Sequence, residues 1–192
     1  MEPGSSPGEV TAVLCAGFDA AADERVRALR ERLAPASPRL RRPPLHRPHV
    51  TLAATRTPKP ELAEVHELAD ALAARHTAFD LPLEHVGIFP RGGVLWLAPA
   101  PSTALAALQA DADATLVAAG RRHAFDTAVP DRWVPHCTLA TGLRPDELAA
   151  AVELLARRWR TVRAKVELVV TLLVGRPDEE EHALSPAASG SC

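Results

Sequence analysis

The chain is poor in cysteine, lysine and tyrosine, and it contains no long apolar run. Its three cysteines are odd in number and give no disulfide framework. No stretch reaches the roughly 18 uninterrupted apolar residues expected of a membrane helix. The first residues also lack the positive segment followed by an apolar one that marks a secretory signal. These absences predict a cytoplasmic protein in a reducing compartment, without a membrane partner.

The basic residues are unusual in kind rather than in number. Only Lys59 and Lys165 are lysines, and the other 20 of the 22 basic residues are arginines. Arginine binds phosphate bidentately, although an Ala/Arg/Pro-rich coding bias explains the excess as well. The net charge of −2 argues against a general polyanion-binding protein, because such domains usually carry a basic excess.

Several common catalytic motifs are missing. The sequence has no Gly-x-Gly-x-x-Gly and no Gly-x-x-x-x-Gly-Lys loop, and its one Gly-x-Ser-x-Gly, at residues 4–8, lies in the Gly/Ser/Pro-rich N-terminus and not between a strand and a helix. A serine hydrolase, a dinucleotide-dependent dehydrogenase and an ATP-driven ligase therefore lack support. His46 and His49 have the H-x-x-H spacing, but no cluster of further ligands completes a metal site. We therefore expect no metal.

One short phrase occurs twice, 87 positions apart (136 minus 49). The first copy is Pro48-His49-Val50-Thr51-Leu52-Ala53 and the second is Pro135-His136-Cys137-Thr138-Leu139-Ala140. In a strand, side chains i and i+2 point to the same face. Each copy therefore places an imidazole beside a hydroxyl, while the residue between them points towards a core.

Two such pairs facing each other suit attack at phosphorus. Histidine titrates near neutrality, so one imidazole can act as a base while the other acts as an acid. The hydroxyls of Thr51 and Thr138 can donate to the non-bridging oxygens of a phosphate. A single His-x-Thr pair is more often a polar pair at a strand edge, but two copies in matching surroundings favour the functional interpretation.

The elements around the two copies follow the same order. Alternating or helically spaced apolar residues predict strand, helix, motif strand, helix and strand in each half. Asp19 and Ser102 are predicted to cap the first helix of each half. The predicted elements of the first half are a strand at 10–18, a helix from 19 to 33, the first motif strand, a helix at 61–76 and a strand from 79 towards 88. Those of the second half are a strand at 94–97, a helix from 102 to about 120, the second motif strand, a helix from 145 to about 159 and a strand at 162–174.

This repeat predicts an α+β fold of two pseudo-twofold-related strand-helix-strand-helix-strand lobes with a central cleft. We expect one bilobal domain at residues 9–175, with halves of about 9–90 and 91–175. Residues 1–8 are predicted to be disordered. Residues 176–192 carry a run of acidic residues followed by Ser, Pro, Ala and Gly, and they are predicted to form a flexible acidic tail.

The chain resembles the 2H phosphoesterases, and within them the 2′-5′ RNA ligase/cyclic phosphodiesterase branch. The resemblance covers roughly residues 10–175 and rests on the two copies of the phrase, on Arg132-Trp133-Val134 before the second copy, and on Val86-Gly87-Ile88-Phe89-Pro90 with Val94-Leu95-Trp96-Leu97. It implies the bilobal fold, no cofactor, and opening of 2′,3′-cyclic phosphates at RNA ends, with a possible reversible 2′-5′ ligation.

The resemblance also implies the roles of the motif residues. His49 and His136 are the implied acid/base pair, with His136 as base and His49 as acid, and Thr51 and Thr138 are the implied phosphate-binding residues. Some relatives have an arginine directly before the Val-x-Trp strand. This chain has Gly93 there and Arg91 two residues earlier.

Other residues are weaker candidates for substrate contact. Possible contacts are Arg91, Arg132, Trp133 and Phe89, and Phe125 is a further aromatic platform for a base. Core packing is the alternative role for the aromatic residues. Arg39, Arg41, Arg42, His46 and Arg47 precede the first motif, where they either guide RNA or form a solvated loop.

Three kinds of ligand and activity stay open at this point. The expected partner is an RNA 3′ end. The alternatives are a small cyclic-phosphate nucleotide metabolite with the same chemistry, or binding of RNA or nucleotides without catalysis. No obligate protein partner is evident, and we expect a monomer.

Overall fold

The protein is described here by a computed structural model that covers residues 8–41, 45–125, 127–157 and 159–186. The strands are β1 (Glu9–Phe18), β2 (His49–Pro58), β3 (Phe79–Asp80), β4 (Leu83–Phe89), β5 (Val94–Pro99), β6 (Cys137–Ala140), β7 (Lys165–Leu173) and β8 (Glu179–Ala183). The helices are α1 (Ala20–Leu33), α2 (Leu62–Ala74), α3 (Thr103–Ala118) and α4 (Pro145–Arg157). No helix in this part of the chain is long and apolar enough to cross a membrane.

The strands form two antiparallel sheets that share the same central arrangement of three strands. The first sheet has the order β2-β1-β7-β3, with β8 also paired to β7, and the second has the order β4-β5-β6. The opening strand of each half, β1 or β5, is flanked by a motif strand on one side and by a closing strand on the other. The predicted α+β fold with two pseudo-twofold-related lobes is confirmed.

The boundary between the lobes differs from the predicted one near residues 90 and 91. The closing strand of each half pairs with the opening strand of the other half, because β4 joins β5 and β7 joins β1. The predicted single strand from residue 79 towards 88 is divided accordingly, since β3 pairs with β7 and β4 with β5. The lobes therefore interlock, and the halves 9–90 and 91–175 do not correspond to the two sheets.

The helices begin where capping residues occur. The Asp19 carboxylate accepts a hydrogen bond from the Ala22 amide at 3.0 Å, and the Ser102 hydroxyl accepts one from the Leu105 amide at 3.2 Å. These contacts confirm both predicted N-caps. Helices α2 and α3 pack against the first sheet, through β7 and β2 respectively, while α1 packs against α4 and β6. Helix α3 of the second half thus lies on a strand of the first half, and α1 of the first half lies on a strand of the second, which strengthens the interlock.

Each motif ends in a β-bulge at the same place. Along β1 and β2 the register passes from Cys15–Thr51 to Leu14–Ala53, which leaves Leu52 unpaired. Along β5 and β6 it passes from Trp96–Thr138 to Leu95–Ala140, which leaves Leu139 unpaired. Bulges occur often beside active sites, where they redirect side chains. The leucine after each motif threonine is therefore a shared structural feature of the two copies.

A further bulge divides the strongly alternating strand β7. The register with β1 shifts between Gly17 and Phe18, so Glu167 is unpaired. Before the bulge, Val166 faces the main core. After it, Val169 faces that core, while Val170 belongs to a second apolar cluster on the opposite face of the sheet. The strict alternation predicted over 162–174 is wrong in this respect, because the bulge exchanges the two faces.

The acidic segment after β7 is a strand and not a flexible tail. Strand β8 pairs with β7 through Leu168–Ala183, Val170–Glu181 and Leu172–Glu179, among other pairs. The prediction of a flexible tail is therefore wrong for residues 179–183. Beyond β8, Leu184 is buried in the main core and Ser185 forms a bridge to Thr77, so the prediction is wrong for these two residues as well. The predictions for residues 1–7 and 187–192 lie outside the described residues.

Candidate active site

The two motif histidines are oriented in the same way. The Nδ1 atom of His49 lies 2.7 Å from the Arg47 carbonyl oxygen, and the Nδ1 atom of His136 lies 2.7 Å from the Val134 carbonyl oxygen. A carbonyl oxygen can only accept, so each Nδ1 carries the hydrogen and donates it. Each neutral ring therefore keeps an unprotonated Nε2, which is the nitrogen that can accept a proton from another group.

Two contacts hold the two motifs together across the junction of the sheets, and a third joins helix α1 to the second motif. The backbone N–H of His49 hydrogen-bonds the Cys137 thiol, and the indole N–H of Trp133 donates to the Thr51 carbonyl oxygen at 2.7 Å. The guanidinium of Arg30 donates to the Thr138 carbonyl oxygen. Strands β2 and β6 lie at sheet edges and contact each other. The structure thus brings both His-x-Thr pairs to one junction, where the sequence predicts the cleft.

The motif threonines are half-buried, and each has a partner on the opening strand of its lobe. Thr51 is paired with Cys15, whose sulfur lies 4.0 Å from the Thr51 hydroxyl oxygen. Thr138 is paired with Trp96. The Cys137 side chain lies in the main core, and burial raises the pKa of its thiol to about 11. Cys137 therefore points away from His136, as predicted, and stays a neutral thiol at physiological pH.

Both imidazoles are held in the neutral form by their surroundings. Burial lowers the pKa of His49 to about 4; the positive charge of Arg30 and nearby His46 act in the same direction, while the Arg47 carbonyl and Glu179 oppose them. Burial also lowers the pKa of His136, and the hydrogen bond to the Val134 carbonyl opposes this shift. In the free protein near pH 7 both rings are therefore neutral.

The depressed pKa of His49 predicts a loss of stability on mild acidification. An unfolded histidine binds a proton below about pH 6.5, whereas folded His49 does so only near pH 4. Between these values the unfolded state binds more protons, so stability falls as the pH falls, by up to about 1.4 kcal/mol per pH unit. Urea unfolding at pH 7 and pH 5 should show a larger loss for the wild type than for His49→Gln. Equal losses in the two proteins would contradict the assigned burial of the ring.

Among the residues that the structure describes, aromatic rings pack against His136 but not against His49. The ring of Phe89 meets the His136 ring edge-on at a centroid distance of 4.9 Å, and the Trp96 ring lies 5.8 Å from it. The Trp96 ring crosses the backbone at Gly87, where a Cβ atom would lie 2.2 Å from the indole. Glycine at position 87 therefore makes room for the aromatic packing that holds His136. Trp96 was not among the predicted site residues, and its pairing with Thr138 depends on a register that the sequence does not reveal.

The predicted arginine contacts lie at the surface. Arg91 is exposed in the turn between β4 and β5, and Arg132 is exposed in the short 3₁₀ helix Pro130–Arg132. Gly93 has φ +57°, and a Cβ atom there would lie 2.0 Å from the Leu143 carbonyl oxygen. An arginine like that of some relatives cannot occupy position 93 without moving this backbone, so Arg91 is the arginine that this turn offers.

The predicted aromatic contacts have structural partners. Trp133 packs against the main core and uses its N–H for Thr51, and Phe89 packs against His136 and Trp96. Phe125 packs against the second apolar cluster, which includes Cys15 and Val170. Trp133 thus has the core-packing role that is the alternative to substrate contact. Substrate contact by these aromatic residues stays a prediction.

The last residues of the loop before the first motif form contacts with α1 and β8. His46 Nδ1 lies 3.3 Å from a Glu179 carboxylate oxygen, and Arg47 forms ion pairs with Asp23 and Glu181. Arg47 is therefore not part of a solvated loop. Arg42 lies outside the described residues. Sequence reasoning did not identify Arg30, Glu179 or Glu181 as site residues, because their partners are remote in sequence.

Away from the two motifs, one group of side chains between α2 and β8 has the composition of a cation-binding site. His66, Glu180 and His182 place one ligand atom each within 4.8 Å of one another. Both nitrogens of His182 already have protein partners, since Nδ1 lies 2.7 Å from an Asp70 carboxylate oxygen and Nε2 lies 3.1 Å from the Thr171 hydroxyl. We interpret His182, with Asp70 and Thr171, as the hydrogen-bonded link that fastens β8 to α2 and β7, whereas the Glu180 side chain lies exposed at its edge.

Comparisons with known proteins agree with this architecture. The family model described as the 2′-5′ RNA ligase superfamily matches residues 18–178. The crystal structure of Escherichia coli LigT complexed with 3′-AMP has 18% sequence identity and a TM-score of 0.61, covering 92% of this chain and 96% of that chain. The apo form of the same protein has 19% identity and a TM-score of 0.60, covering 92% and 98%. A crystal structure described as a phosphoesterase has 18% identity and a TM-score of 0.54, with the same coverage. No curated protein sequence matches the chain.

Proposed function

Since the chain belongs to the 2′-5′ RNA ligase superfamily, we propose that it opens 2′,3′-cyclic phosphates at RNA 3′ ends by metal-independent, two-histidine acid/base catalysis. The observation that carries the proposal is the matched orientation of His49 and His136. Each ring donates from Nδ1 to the carbonyl two residues before it and keeps Nε2 for proton transfer. A hydrolytic step at phosphorus needs two such groups.

In the proposed step, one neutral imidazole takes a proton from the attacking water while a P–O bond forms. The other imidazole, protonated when the anionic substrate is bound, gives its proton to the departing ribose oxygen as the second P–O bond breaks. Following the family resemblance, we assign the base to His136 and the acid to His49. Thr51 and Thr138 donate hydrogen bonds to the non-bridging oxygens, where negative charge increases in the transition state. The same attack with a 5′-hydroxyl of a second RNA end in place of water forms a P–O5′ bond, breaks the P–O3′ bond and gives a 2′-5′ linkage; its reversal restores the cyclic phosphate.

The substrate charge explains how a ring with a depressed pKa can act as the acid. Burial removes water from His49 and lowers its pKa, but a phosphate monoanion bound beside the ring favours its charged form. Substrate binding is therefore expected to raise the pKa of His49. The crystal structure of LigT with 3′-AMP supports a nucleotide ligand for this fold, because 3′-AMP carries the kind of phosphate that ring opening can leave.

A second candidate substrate is a small cyclic-phosphate nucleotide. Two basic residues before the first motif, His46 and Arg47, pair with acidic side chains of the protein itself. They are thus engaged before any RNA strand binds, and the whole chain has a net charge of −2. This arrangement favours a short or single-nucleotide ligand over a long polyanion.

The test is incubation of the purified protein in EDTA with two substrates. One is a short RNA oligonucleotide ending in a 2′,3′-cyclic phosphate, and the other is a 2′,3′-cyclic mononucleotide. Ring opening is followed by phosphorus NMR, which also separates 2′- from 3′-phosphate products. We expect opening of the RNA end at an unchanged rate in EDTA. Turnover of the mononucleotide alone would favour the small-metabolite substrate, and turnover of neither would contradict the proposed activity.

A further inference from the structure

Strand β8 presents acidic side chains on both of its faces. In an antiparallel pair, directly opposite residues share a face. Glu179 and Glu181 lie opposite Leu172 and Val170, which belong to the second apolar cluster together with Cys15. Glu180, between them, points the other way and pairs with His66 of α2 at 3.0 Å. Glu179 and Glu181 are thus on the face of the first sheet that carries Cys15, the partner of Thr51.

These two glutamates hold Arg47 from opposite ends. The Glu179 carboxylate accepts a hydrogen bond from the Arg47 backbone N–H at 2.8 Å, and the Glu181 carboxylate pairs with the Arg47 guanidinium. The same guanidinium reaches the Asp23 carboxylate at 2.9 Å and the Phe18 carbonyl at 3.0 Å. Main chain and side chain of Arg47 are both fixed, and only about 10% of its side chain is exposed.

The carbonyl of Arg47 is the acceptor that orients His49. It receives the Nδ1 hydrogen of the imidazole at 2.7 Å. A ring held in this way has one tautomer and one orientation, and its Nε2 lone pair is fixed. The position of the Arg47 carbonyl group therefore determines where the Nε2 atom of His49 points.

The second motif offers an internal comparison. Val134 takes the place of Arg47, and its carbonyl holds His136 in the same manner. A valine side chain cannot form the ion pairs that Arg47 forms, and the Val134 side chain is 43% exposed. Around His136, packing by Phe89 and Trp96 provides the restraint instead. The two imidazoles are therefore held by different means, one by acidic residues of β8 and the other by aromatic rings.

We propose that Glu179 and Glu181 are positioning residues that fix the tautomer and orientation of His49 through Arg47. Strand β8 thereby contributes to the candidate active site, although neither glutamate contacts the reacting atoms itself. The catalytic consequence rests on the proposed function, whereas the orientation of His49 can be measured without any substrate.

The experiment compares three variants with the wild type. Glu179→Ala removes the acceptor of the Arg47 amide. Glu179→Gln keeps an oxygen in that place and removes only the charge. Glu180→Ala is the matched control, because it removes a glutamate from the same strand on the opposite face. Nitrogen-15 NMR of the His49 ring reports the tautomer, and steady-state kinetics on the cyclic-phosphate substrate report kcat and KM separately.

We expect Glu179→Ala to mix the two His49 tautomers and to lower kcat by about 10-fold or more with little change in KM, because misplaced catalytic groups can cost up to about 10²-fold. Glu179→Gln should restore most of the loss, and Glu180→Ala should behave like the wild type. Glu181→Ala provides a second variant if the first fails to fold, since the Glu181 side chain is 56% exposed. It should shift the tautomer in the same direction.

Two outcomes would overturn the proposal. One is an unchanged His49 tautomer in both alanine variants, and the other is a changed tautomer with wild-type kcat. A wild-type protein that is inactive on cyclic phosphates would contradict the proposed function instead, and the NMR result would still decide whether β8 positions His49.

Discussion

Replacing either motif histidine with alanine is expected to lower kcat/KM for a 2′,3′-cyclic phosphate by about 10²- to 10⁴-fold, the range that general acid or base catalysis contributes. His136→Ala removes the proposed base and His49→Ala removes the proposed acid. Each ring donates from Nδ1 to a backbone carbonyl and keeps an unprotonated Nε2 at the junction of the two sheets.

The measurement is initial-rate kinetics on the RNA substrate for both variants, with His85→Ala as the matched control. His85 is exposed on β4, so its loss tests whether removal of any surface imidazole matters. Circular dichroism should establish that each variant is folded before rates are compared. Wild-type rates in either His49→Ala or His136→Ala would contradict the two-histidine mechanism, whatever the other variant does.

The double variant adds a sharper criterion. If both rings act in one concerted proton transfer, their effects are not additive, because a site that has lost one member gains little from the other. We therefore expect His49→Ala/His136→Ala to lose about as much activity as the more affected single variant. Losses that multiply would indicate that the two rings contribute independently and do not act as a unit.

Local structure was largely predictable from the sequence. Apolar periodicity and capping residues identified the first helix of each half, and the structure confirms the caps at Asp19 and Ser102. The repeated phrase also predicted that both motifs lie in matching lobes. These features are local, because a helix cap or a strand face depends on residues that are close along the chain.

Strand pairing was not predictable in the same way. The alternation of apolar residues indicates a strand but not its neighbour, so the exchange of β4 and β7 between the lobes left no sign in the sequence. A β-bulge is equally difficult to predict from the apolar pattern. The unpaired Glu167 reverses the faces of β7, although the apolar alternation continues through it.

Strand β8 shows why an acidic segment can be misread. A run of glutamates at the end of a chain is typical of a disordered tail, and composition gives no other indication. Here the partners of Glu179 and Glu181 are His46 and Arg47, more than 130 residues away in the sequence. The site residues that the sequence could not identify are thus those that act through remote partners, whereas the two motifs could be found from their own spacing.

Removing the motif hydroxyls is expected to have the second-largest effect. Thr138→Val and Thr51→Val should each lower kcat/KM by about 10²- to 10³-fold, the loss that follows removal of one preorganised donor from an oxyanion site. Valine has the shape of threonine without the hydroxyl, and the Thr51 hydroxyl oxygen lies 4.0 Å from the Cys15 sulfur, a weak contact. The substitution therefore removes little from the free protein, and the cost should fall on the transition state.

Serine variants separate the hydroxyl from the methyl group. Thr51→Ser and Thr138→Ser keep a donor and should retain activity within about 10-fold of the wild type, in contrast to the valine variants. Calorimetric binding of a nucleoside 3′-monophosphate supplies a second measurement, since a donor that acts mainly in the transition state lowers kcat more than it weakens product binding. If the valine variants bind the product weakly but turn over at the wild-type kcat, the hydroxyls serve only to bind the phosphate. If serine is as poor as valine, the methyl group and its packing in the strand, and not the donated hydrogen bond, account for the loss.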